Sequence, residues 1–315
     1  MAAPVASIVD RAGRIIEMRQ SPTTAQDNAF DSYMILKENG VDNHTLTLVL
    51  RIHFKQVVPA SSGTHTDVDG TVFKVRRWRP SELDEFHRMF RRQAALWNNN
   101  FWLTPPAGFA GLQYRHAGKN VQPNVYCHLF VDIAASPAGA HRTIDIVNID
   151  RVATARARGV RVADLNASTF RSDSTQYDSL DVKPAPLPFP DDTGTTHRLN
   201  RSTFAHEVGH ALGLPHSGQA HSTIPCTLSV LMDEHLPSWI SGSASFPALY
   251  QGGSNSNVCY GHSGPKSVGS NVMGFGLELD ASNALPWLDR LALHTGTRAA
   301  DWTVALKRKV PPRVL

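Results

Sequence analysis

The spacing of apolar positions along the chain predicts a sheet with helices packed against it. Residues 44–58 (HTLTLVLRIHFKQVV) alternate in polarity and are rich in β-branched side chains, which is typical of a strand. Residues 81–97 carry apolar side chains at helical spacing after an acidic first turn, which indicates an amphipathic helix. Further strands are predicted at 71–75, 124–133 and 143–152. This order of strands and helices predicts an α/β (α+β) fold rather than a helical bundle.

The same pattern suggests how the chain is divided. Residues 1–40 mix short apolar pieces with polar turns and are predicted to form an N-terminal arm or small added strands. Residues 41–315 are predicted to form one domain, with an upper subdomain at 41–213 and a lower subdomain at 214–315. The lower subdomain is mostly irregular, because its first part is rich in Ser, Gly, Asn and Pro, and it closes with the helical pattern SNALPWLDRLALHTG.

A proline-rich segment and a short helix are predicted just before the lower subdomain. Residues 184–190 (PAPLPFP) place a proline at every second position, so we expect an extended segment that cannot donate a regular ladder of hydrogen bonds. Ser202 or Thr203 can then cap a short helix through FAHEVGHAL, and Gly213 is expected to end it.

Composition and charge narrow the partners. The chain has 315 residues, of which 41% are apolar, so it can fill a core, and no apolar run reaches the ~18 residues of a membrane-spanning helix. The net charge of +4 is scattered, and no aromatic stacking platform accompanies the arginine clusters, so we expect neither membrane insertion nor a nucleic-acid partner. The oligomeric state stays open.

The cysteines and the first residues leave two questions open. Three cysteines are too few for a disulfide framework; Cys127 is predicted to be a buried apolar residue, and both a bridge between Cys226 and Cys259 and two free thiols are considered. The first residues (MAAPVASIVDRAGR) lack the pattern of an ordinary secretory signal, so both a cytoplasmic location and export by another route stay open.

Residues 206–216 (HEVGHALGLPH) follow the pattern HExxHxxGxxH. Four residues advance an α-helix by about 400°, so His206 and His210 lie one turn apart and can reach one ion. Gly213 allows a left-handed turn that brings His216 back as a third ligand. Three neutral imidazoles leave the fourth position of a tetrahedral zinc ion for water, which is the arrangement of a catalytic site. By chance the five fixed positions would coincide on the order of once in ten thousand chains of this length.

The glutamate inside this motif supplies the expected chemistry. Glu207 lies about 100° round the helix from His206, close enough to serve a zinc-bound water without being a ligand. Zinc lowers the pKa of its water toward ~7, so Glu207 is expected to act as the general base when that water attacks a carbonyl. The sequence therefore predicts Zn²⁺ as the cofactor, a protein or peptide as the substrate, and hydrolysis of a peptide bond as the reaction.

The motif resembles that of the metzincin superfamily of zinc endopeptidases. The resemblance implies that His206, His210 and His216 bind zinc, that Glu207 is the catalytic base, and that a methionine in a tight turn lies beneath the metal. It also implies a twisted mixed β-sheet with a backing helix and an active-site helix, above an irregular lower subdomain that ends in a C-terminal helix. The motif covers 11 residues, and the architectural likeness extends over most of 44–296.

Two methionines are candidates for the turn. Met273, in NVMGFG, is favoured because the glycines around it suit a tight turn and the last helical pattern follows directly. Met232, in SVLMDEH, resembles the matrixin spelling and is the alternative. Ser217 also resembles matrixins, but the sequence contains no PRCGxPD segment, so the subfamily stays open. Phe275 stands where astacin-like and serralysin-like members have a tyrosine.

Other readings of the motif remain to be weighed. His221, Glu234 and His235 are rival third ligands, but His216 has the spacing that the geometry needs. A zinc hydrolase restricted to one target is one alternative function, and a toxin-like or effector-like module that binds zinc without hydrolysis is another. Cleavage of casein and of a peptide library separates the first alternative from a general peptidase, and Glu207→Gln separates the second.

Overall fold

The structure is a computed structural model that describes residues 5–10, 15–19, 30–36, 42–61, 63–66, 71–167, 169, 172–217 and 265–315. The chain divides into two compact units. The first comprises Met1–Arg51, Trp97–Asp132 and Leu279–Leu315, and the second comprises Ile52–Leu96 and Ile133–Glu278. A mixed multi-stranded sheet and several helices confirm the α+β class predicted from the sequence. Each helix in the described part is too short or too polar to cross a membrane.

Strands dominate the first unit. They are β1 (Val5–Asp10), β2 (Ile15–Arg19), β3 (Asp31–Ile35), the first part of β4 (His44–Gln56), β7 (Phe101–Thr104), β8 (Tyr114–His116), β9 (Lys119–Gln122), β10 (Val125–Ile133), β15 (Thr303–Leu306) and β16 (Arg313–Val314). The sheet order is β1-β2-β3-β4-β10-β7-β15, and β16-β9-β8 form a separate small sheet. The predicted N-terminal arm thus contributes three antiparallel strands that add to β4.

One helix of the first unit, α5 (Leu285–Thr295), corresponds to the last helical pattern of the sequence. Its Trp287 is fully buried, packs 5.7 Å from the ring of Phe101, and donates from Nε1 to the carbonyl of His128 at 3.0 Å. Gly296 ends the helix in a left-handed conformation. The chain continues beyond this helix into β15, which pairs antiparallel with β7.

The second unit holds the remaining elements. The end of β4 pairs in parallel with β11 (Arg142–Val147), which pairs in parallel with β12 (Gln176–Asp178). The other elements are the hairpin β5 (Thr64–Thr66) and β6 (Val72–Lys74), helices α1 (Pro80–Ala94), α2 (Arg151–Arg158), α3 (Thr203–Ala211) and α4 (Lys266–Ser270), and the hairpin β13 (Ala185–Pro190) and β14 (Thr196–Arg201).

An aromatic cluster fixes α1 and α3 against the parallel strands of this unit. Phe86 and Phe90 on α1 lie 5.1 Å and 5.3 Å from Phe204 on α3, and the ring of Tyr177 on β12 lies 5.5 Å from Phe204. All four rings are almost completely buried. Burying side chains of this size contributes on the order of 1.5–3 kcal/mol each, so α3 is held on a rigid support.

The proline-rich segment does pair, which corrects the expectation that it could not donate a regular ladder. Strand β13 is extended as predicted, and it pairs antiparallel with β14 over its whole length. Because successive residues of a strand face opposite edges, prolines at every second position leave the N–H groups of Ala185, Leu187 and Phe189 together on one edge. That edge can pair with β14, while the proline edge cannot accept a further strand.

Candidate metal centre

Helix α3 carries the first two histidines of the motif. The hydroxyl of Ser202 caps the helix by accepting from the N–H of Ala205 at 3.1 Å, and the same hydroxyl donates to Gln93 Oε1 on α1. The apolar side chains Phe204, Val208 and Ala211 are buried on the face that packs inward. His206 and His210 are therefore presented one turn apart by a helix whose position is fixed at its first residue and along its length.

The end of α3 turns the chain back toward the first histidine. Gly213 has φ +88°, its N–H donates to the carbonyl of His210 at 2.8 Å, and the N–H of Leu214 donates to the carbonyl of Gly209 at 3.0 Å. These two bonds form a Schellman motif, which requires a left-handed residue at the position of Gly213. The sequence predicted this glycine turn, and it places His216 three residues further on, beside the helix.

The three imidazoles converge. Nε2 of His206 lies 3.0 Å from Nε2 of His216 and 3.1 Å from Nε2 of His210, and the possible ligand atoms of the triad all lie within 4.8 Å of one another. His206 and His216 are buried, and His210 is partly exposed. Two nitrogens that bind one zinc ion tetrahedrally at ~2.0–2.1 Å are ~3.3 Å apart, so the observed spacing is close to that of a shared ion.

Backbone carbonyls set which nitrogen carries a proton in two of the rings, those of His206 and His210. Nδ1 of His206 lies 2.7 Å from the carbonyl oxygen of Val272, and Nδ1 of His210 lies 2.8 Å from that of Leu214. A carbonyl oxygen only accepts, so both Nδ1 atoms are donors and, in a neutral ring, both Nε2 atoms present lone pairs. Two lone pairs only 3.1 Å apart repel each other unless a cation or a proton lies between them.

Burial and nearby positive charge favour the neutral form of the His206 imidazole. Burial lowers the pKa of His206 well below its ordinary value, and the charges of Arg201, His210 and His216 lower it further, while the bond to Val272 opposes the shift. A neutral imidazole is the form that binds a metal ion. The residues present therefore fit a metal ion that prefers nitrogen ligands.

A tight turn supports the triad from the chain beyond residue 265. The N–H of Gly274 donates to the carbonyl of Asn271 at 2.8 Å, and the N–H of Met273 donates to Asn271 Oδ1 at 2.8 Å, so Val272 and Met273 are the central residues of the turn. Met273 is almost completely buried, and its carbonyl accepts from the N–H of Ser217 at 2.9 Å. The turn thus contacts both His206 and the residue after His216.

Glu207 is buried beside two polar groups of the parallel strands. The residue is 3% exposed, and its charge acts on Arg142 of β11 and on Tyr177 of β12. Burial lowers the pKa of Arg142, and the nearby Tyr177 and Glu207 partly restore it. Burial is also the main reason that the pKa of Tyr177 lies well above its ordinary value. The catalytic candidate of the motif therefore lies next to the histidines and within the field of a guanidinium group.

The remaining candidates divide into two groups. Phe275 lies in the described part, where its ring packs 6.0 Å from that of Phe189. Residues 218–264 lie outside the described residues, and with them the candidates Met232, His221, Glu234, His235, Cys226 and Cys259. Cys127 is a buried free thiol. In the described part of the chain, the histidine triad is the cluster of potential ligands able to hold a metal ion.

Sequence reasoning missed the groups that orient the ligands. The carbonyls of Leu214 and Val272 leave no signal in the sequence, because every residue has one. Arg142 and Tyr177 are far from the motif in sequence; they lie on β11 and β12, which pair in parallel, and the charge of Glu207 acts on both. A search for a buried cation near Glu207 requires the fold.

Comparisons with known proteins find no relative of this chain. No family model, no curated protein and no solved structure matches it.

Proposed function

We propose that the chain is a zinc-dependent metalloendopeptidase of the metzincin type, with His206, His210 and His216 as metal ligands and Glu207 as the catalytic base. One observation carries the proposal: the Nε2 atoms of His206 and His210, both left unprotonated by carbonyl partners, lie 3.1 Å apart with Nε2 of His216 at 3.0 Å from the first. Such a group of lone pairs suits a nitrogen-binding divalent cation.

The chemistry follows from the residues around the triad. A zinc ion bound there would act as a Lewis acid that polarises a carbonyl and lowers the pKa of a water molecule. Glu207 would accept a proton from the attacking water and deliver it to the amide nitrogen of the leaving peptide. The carbonyls of Val272 and Leu214 would hold two imidazoles in the binding orientation throughout. No side chain of the protein becomes covalently attached to the substrate.

Two further features support the metzincin type. The glycine turn after α3 closes on the third histidine, and Met273 lies in a tight turn that bonds to Ser217. By the resemblance, the substrate is a polypeptide that lies extended along a strand edge near the triad.

The test combines metal analysis with cleavage. We expect about one zinc ion per purified chain, and cleavage of casein and of a random peptide library that a zinc chelator stops and added zinc restores. Glu207→Gln should retain zinc but lose activity by about 10²–10⁴-fold, because an amide cannot take up the proton. Asp192→Asn, the same chemical change at an exposed hairpin residue, should retain both zinc and activity.

Two results would contradict the proposal. Zinc-loaded Glu207→Gln that cleaves as fast as the unchanged protein would remove the catalytic assignment. A protein that takes up no zinc from excess metal would remove the site itself. Cleavage confined to one target protein would retain the chemistry and narrow the substrate.

A further inference from the structure

The fold gathers positive charge that is scattered along the sequence. Strand β9 pairs with β8 on one side and with β16 on the other, so residues 112–124 lie beside residues 307–315 in the first unit. Asn124 Nδ2 also donates to the carbonyls of Val310 and Pro311 at 3.2 Å and 2.9 Å, which holds the segment before β16 next to the end of β9. We refer to these two segments together as the basic sheet.

The charged side chains of the basic sheet all have one sign. The two segments contain no aspartate or glutamate, and they contain six lysines and arginines, which are Arg115, Lys119, Lys307, Arg308, Lys309 and Arg313. The whole chain has 31 lysines and arginines and 27 acidic residues, so the rest of the chain has 25 and 27 and a net charge of −2. The excess positive charge of the protein therefore lies in the basic sheet.

None of the six cations has an acidic partner in the described part of the chain. All six are exposed; Nη2 of Arg115 donates to the carbonyl of Gly118 at 3.2 Å, a bond that leaves its charge uncompensated. Asp42 lies nearby, because its main chain bonds to the Tyr114 hydroxyl, and its exposed carboxylate reduces the local net charge only to +5. Like charges gathered on a small sheet repel one another, so an anionic partner is favoured there.

Two of the arginines project from the same face of the sheet. Arg115 of β8 lies opposite Asn120 of β9, and Arg313 of β16 lies opposite Gln122. Residues two apart in a strand point to the same side, so both arginines lie on the side of Asn120 and Gln122. The opposite face carries Tyr114, which is buried. The outward face therefore presents guanidinium groups from both outer strands.

Exposed aliphatic side chains accompany these cations. Val314 and Leu315 are 46% and 50% exposed, and the N–H of Leu315 donates to the carbonyl of Asn120 at 2.8 Å. The basic sheet has no phenylalanine or tryptophan, and its one tyrosine, Tyr114, is buried, so it offers no platform on which nucleic-acid bases could stack. A lipid surface instead uses both features, since aliphatic side chains enter the interface and cations are attracted to anionic headgroups.

We propose that the basic sheet binds the surface of a bilayer that contains anionic lipid, with Arg115, Arg313 and residues 307–309 at the phosphate groups and with Val314 and Leu315 in the interface. The protein lies on the bilayer without crossing it. Each lysine or arginine near an anionic surface raises the association constant by a factor of about five. This binding does not depend on the proposed peptidase chemistry, since the basic sheet shares no residue with the triad.

Co-sedimentation of the full-length protein with lipid vesicles tests the proposal. We expect binding to vesicles of equal parts phosphatidylglycerol and phosphatidylcholine, and at least about tenfold weaker binding to phosphatidylcholine alone. High salt should release the protein, because counterions screen exposed charges. The triple variant Lys307→Gln, Arg308→Gln and Lys309→Gln should weaken binding by about 100-fold, and it should fold normally because all three side chains are exposed.

A matched triple variant separates local charge from total charge. Arg91→Gln, Arg92→Gln and Arg156→Gln remove three exposed cations from the second unit and change the net charge by the same amount. This variant should bind vesicles as the unchanged protein does. An equal loss of binding in the two triple variants would overturn the proposal, since binding would then follow the net charge alone.

The aliphatic pair identifies the kind of anion that is bound. Val314→Ser combined with Leu315→Ser should weaken binding to vesicles by about tenfold and leave binding to a mixed-sequence DNA duplex unchanged, because it removes apolar contacts and no charge. The proposal would be overturned by vesicle binding that ignores phosphatidylglycerol, by vesicle binding that the serines leave unchanged, or by tighter binding to the duplex than to vesicles. Zinc content and cleavage of peptides in solution are expected to stay unchanged in every variant.

Discussion

At the scale of single residues, the candidate metal centre depends on one glycine as much as on three histidines. Gly213 has φ +88° and occupies the left-handed position of the turn that follows α3. A residue with a Cβ atom pays about 1–2 kcal/mol in this conformation. The pattern HExxHxxGxxH therefore requires a left-handed residue, Gly213, between the two histidines of the helix and the third histidine, His216.

Gly213→Ala should weaken zinc binding. The alanine would shift the turn and move His216 away from the other imidazoles, so we expect at least an about tenfold loss of zinc affinity in a chelator competition, together with a loss of about 1–2 kcal/mol in unfolding free energy.

Gly194→Ala provides the matched control for this change. Gly194 has φ +80° in the β13–β14 hairpin, and a Cβ atom there would meet nothing within 4 Å. Its replacement should cost a similar stability and leave zinc affinity unchanged. Equal zinc affinities for the two variants would argue against the role of the turn at Gly213.

At the scale of elements, the spacing of apolar residues predicts a strand or helix correctly where the element buries one of its faces. Strand β4 and helix α1 form where alternation and helical spacing predicted them, because each packs one apolar face inward. Helix α3 is buried almost all round, and it begins at the cap that the sequence predicted, Ser202. The extended form of β13 is predicted correctly, but the expectation that it cannot donate a regular ladder is wrong, because the spacing of the prolines removes donors from one edge only. The Leu214 carbonyl that bonds to His210 lies in the local turn after α3, whereas the Val272 carbonyl that bonds to His206 and the neighbours of Glu207 depend on tertiary contacts, which no local pattern encodes.

The β13–β14 hairpin and the turn around Met273 meet at one glycine. A Cβ atom on Gly269 of α4 would lie 2.0 Å from the ring of Phe189, which is fully buried. Phe189 also packs 6.0 Å from Phe275, just beyond the turn. This close approach couples the hairpin to the segment whose Val272 carbonyl orients His206.

Gly269→Ala should destabilise the protein by about 1–3 kcal/mol, because an added methyl group in a filled core forces a rearrangement. Chemical denaturation measures the loss. Ser267→Ala on the same helix is exposed and should stay within about 0.5 kcal/mol. Combining Gly269→Ala with Phe189→Leu should return part of the lost stability if the two side chains collide, and strictly additive losses would show that they do not.

At the scale of the whole molecule, stability should depend on pH through a buried carboxyl group. Asp181 is fully buried; it accepts from the N–H of Asp178 at 2.9 Å and from the hydroxyl of Ser172 at 2.6 Å. Burial raises its pKa to about 6, although these bonds, the Thr203 hydroxyl and the charge of Arg201 all oppose the rise. The Asp178 side chain, also buried, shares the Ser172 hydroxyl at 3.4 Å.

The sign of the pH effect follows from this raised pKa. The folded state binds the proton of Asp181 more tightly than the unfolded chain does, where an aspartate titrates near ~3.9. Its contribution to stability is complete below about pH 4 and is lost as pH rises to about 6, by on the order of 2–3 kcal/mol.

Urea unfolding between pH 4 and 8 should therefore show wild-type stability falling, relative to Asp181→Asn, across this window. Asparagine remains neutral at every pH and keeps an acceptor for Ser172, so the variant lacks this loss, while Asp192→Asn on the surface should follow the wild-type curve. Parallel curves for wild type and Asp181→Asn would mean that Asp181 is ionised in the folded protein throughout, and that the polar network beneath the first turn of α3 stabilises a charge rather than a neutral acid.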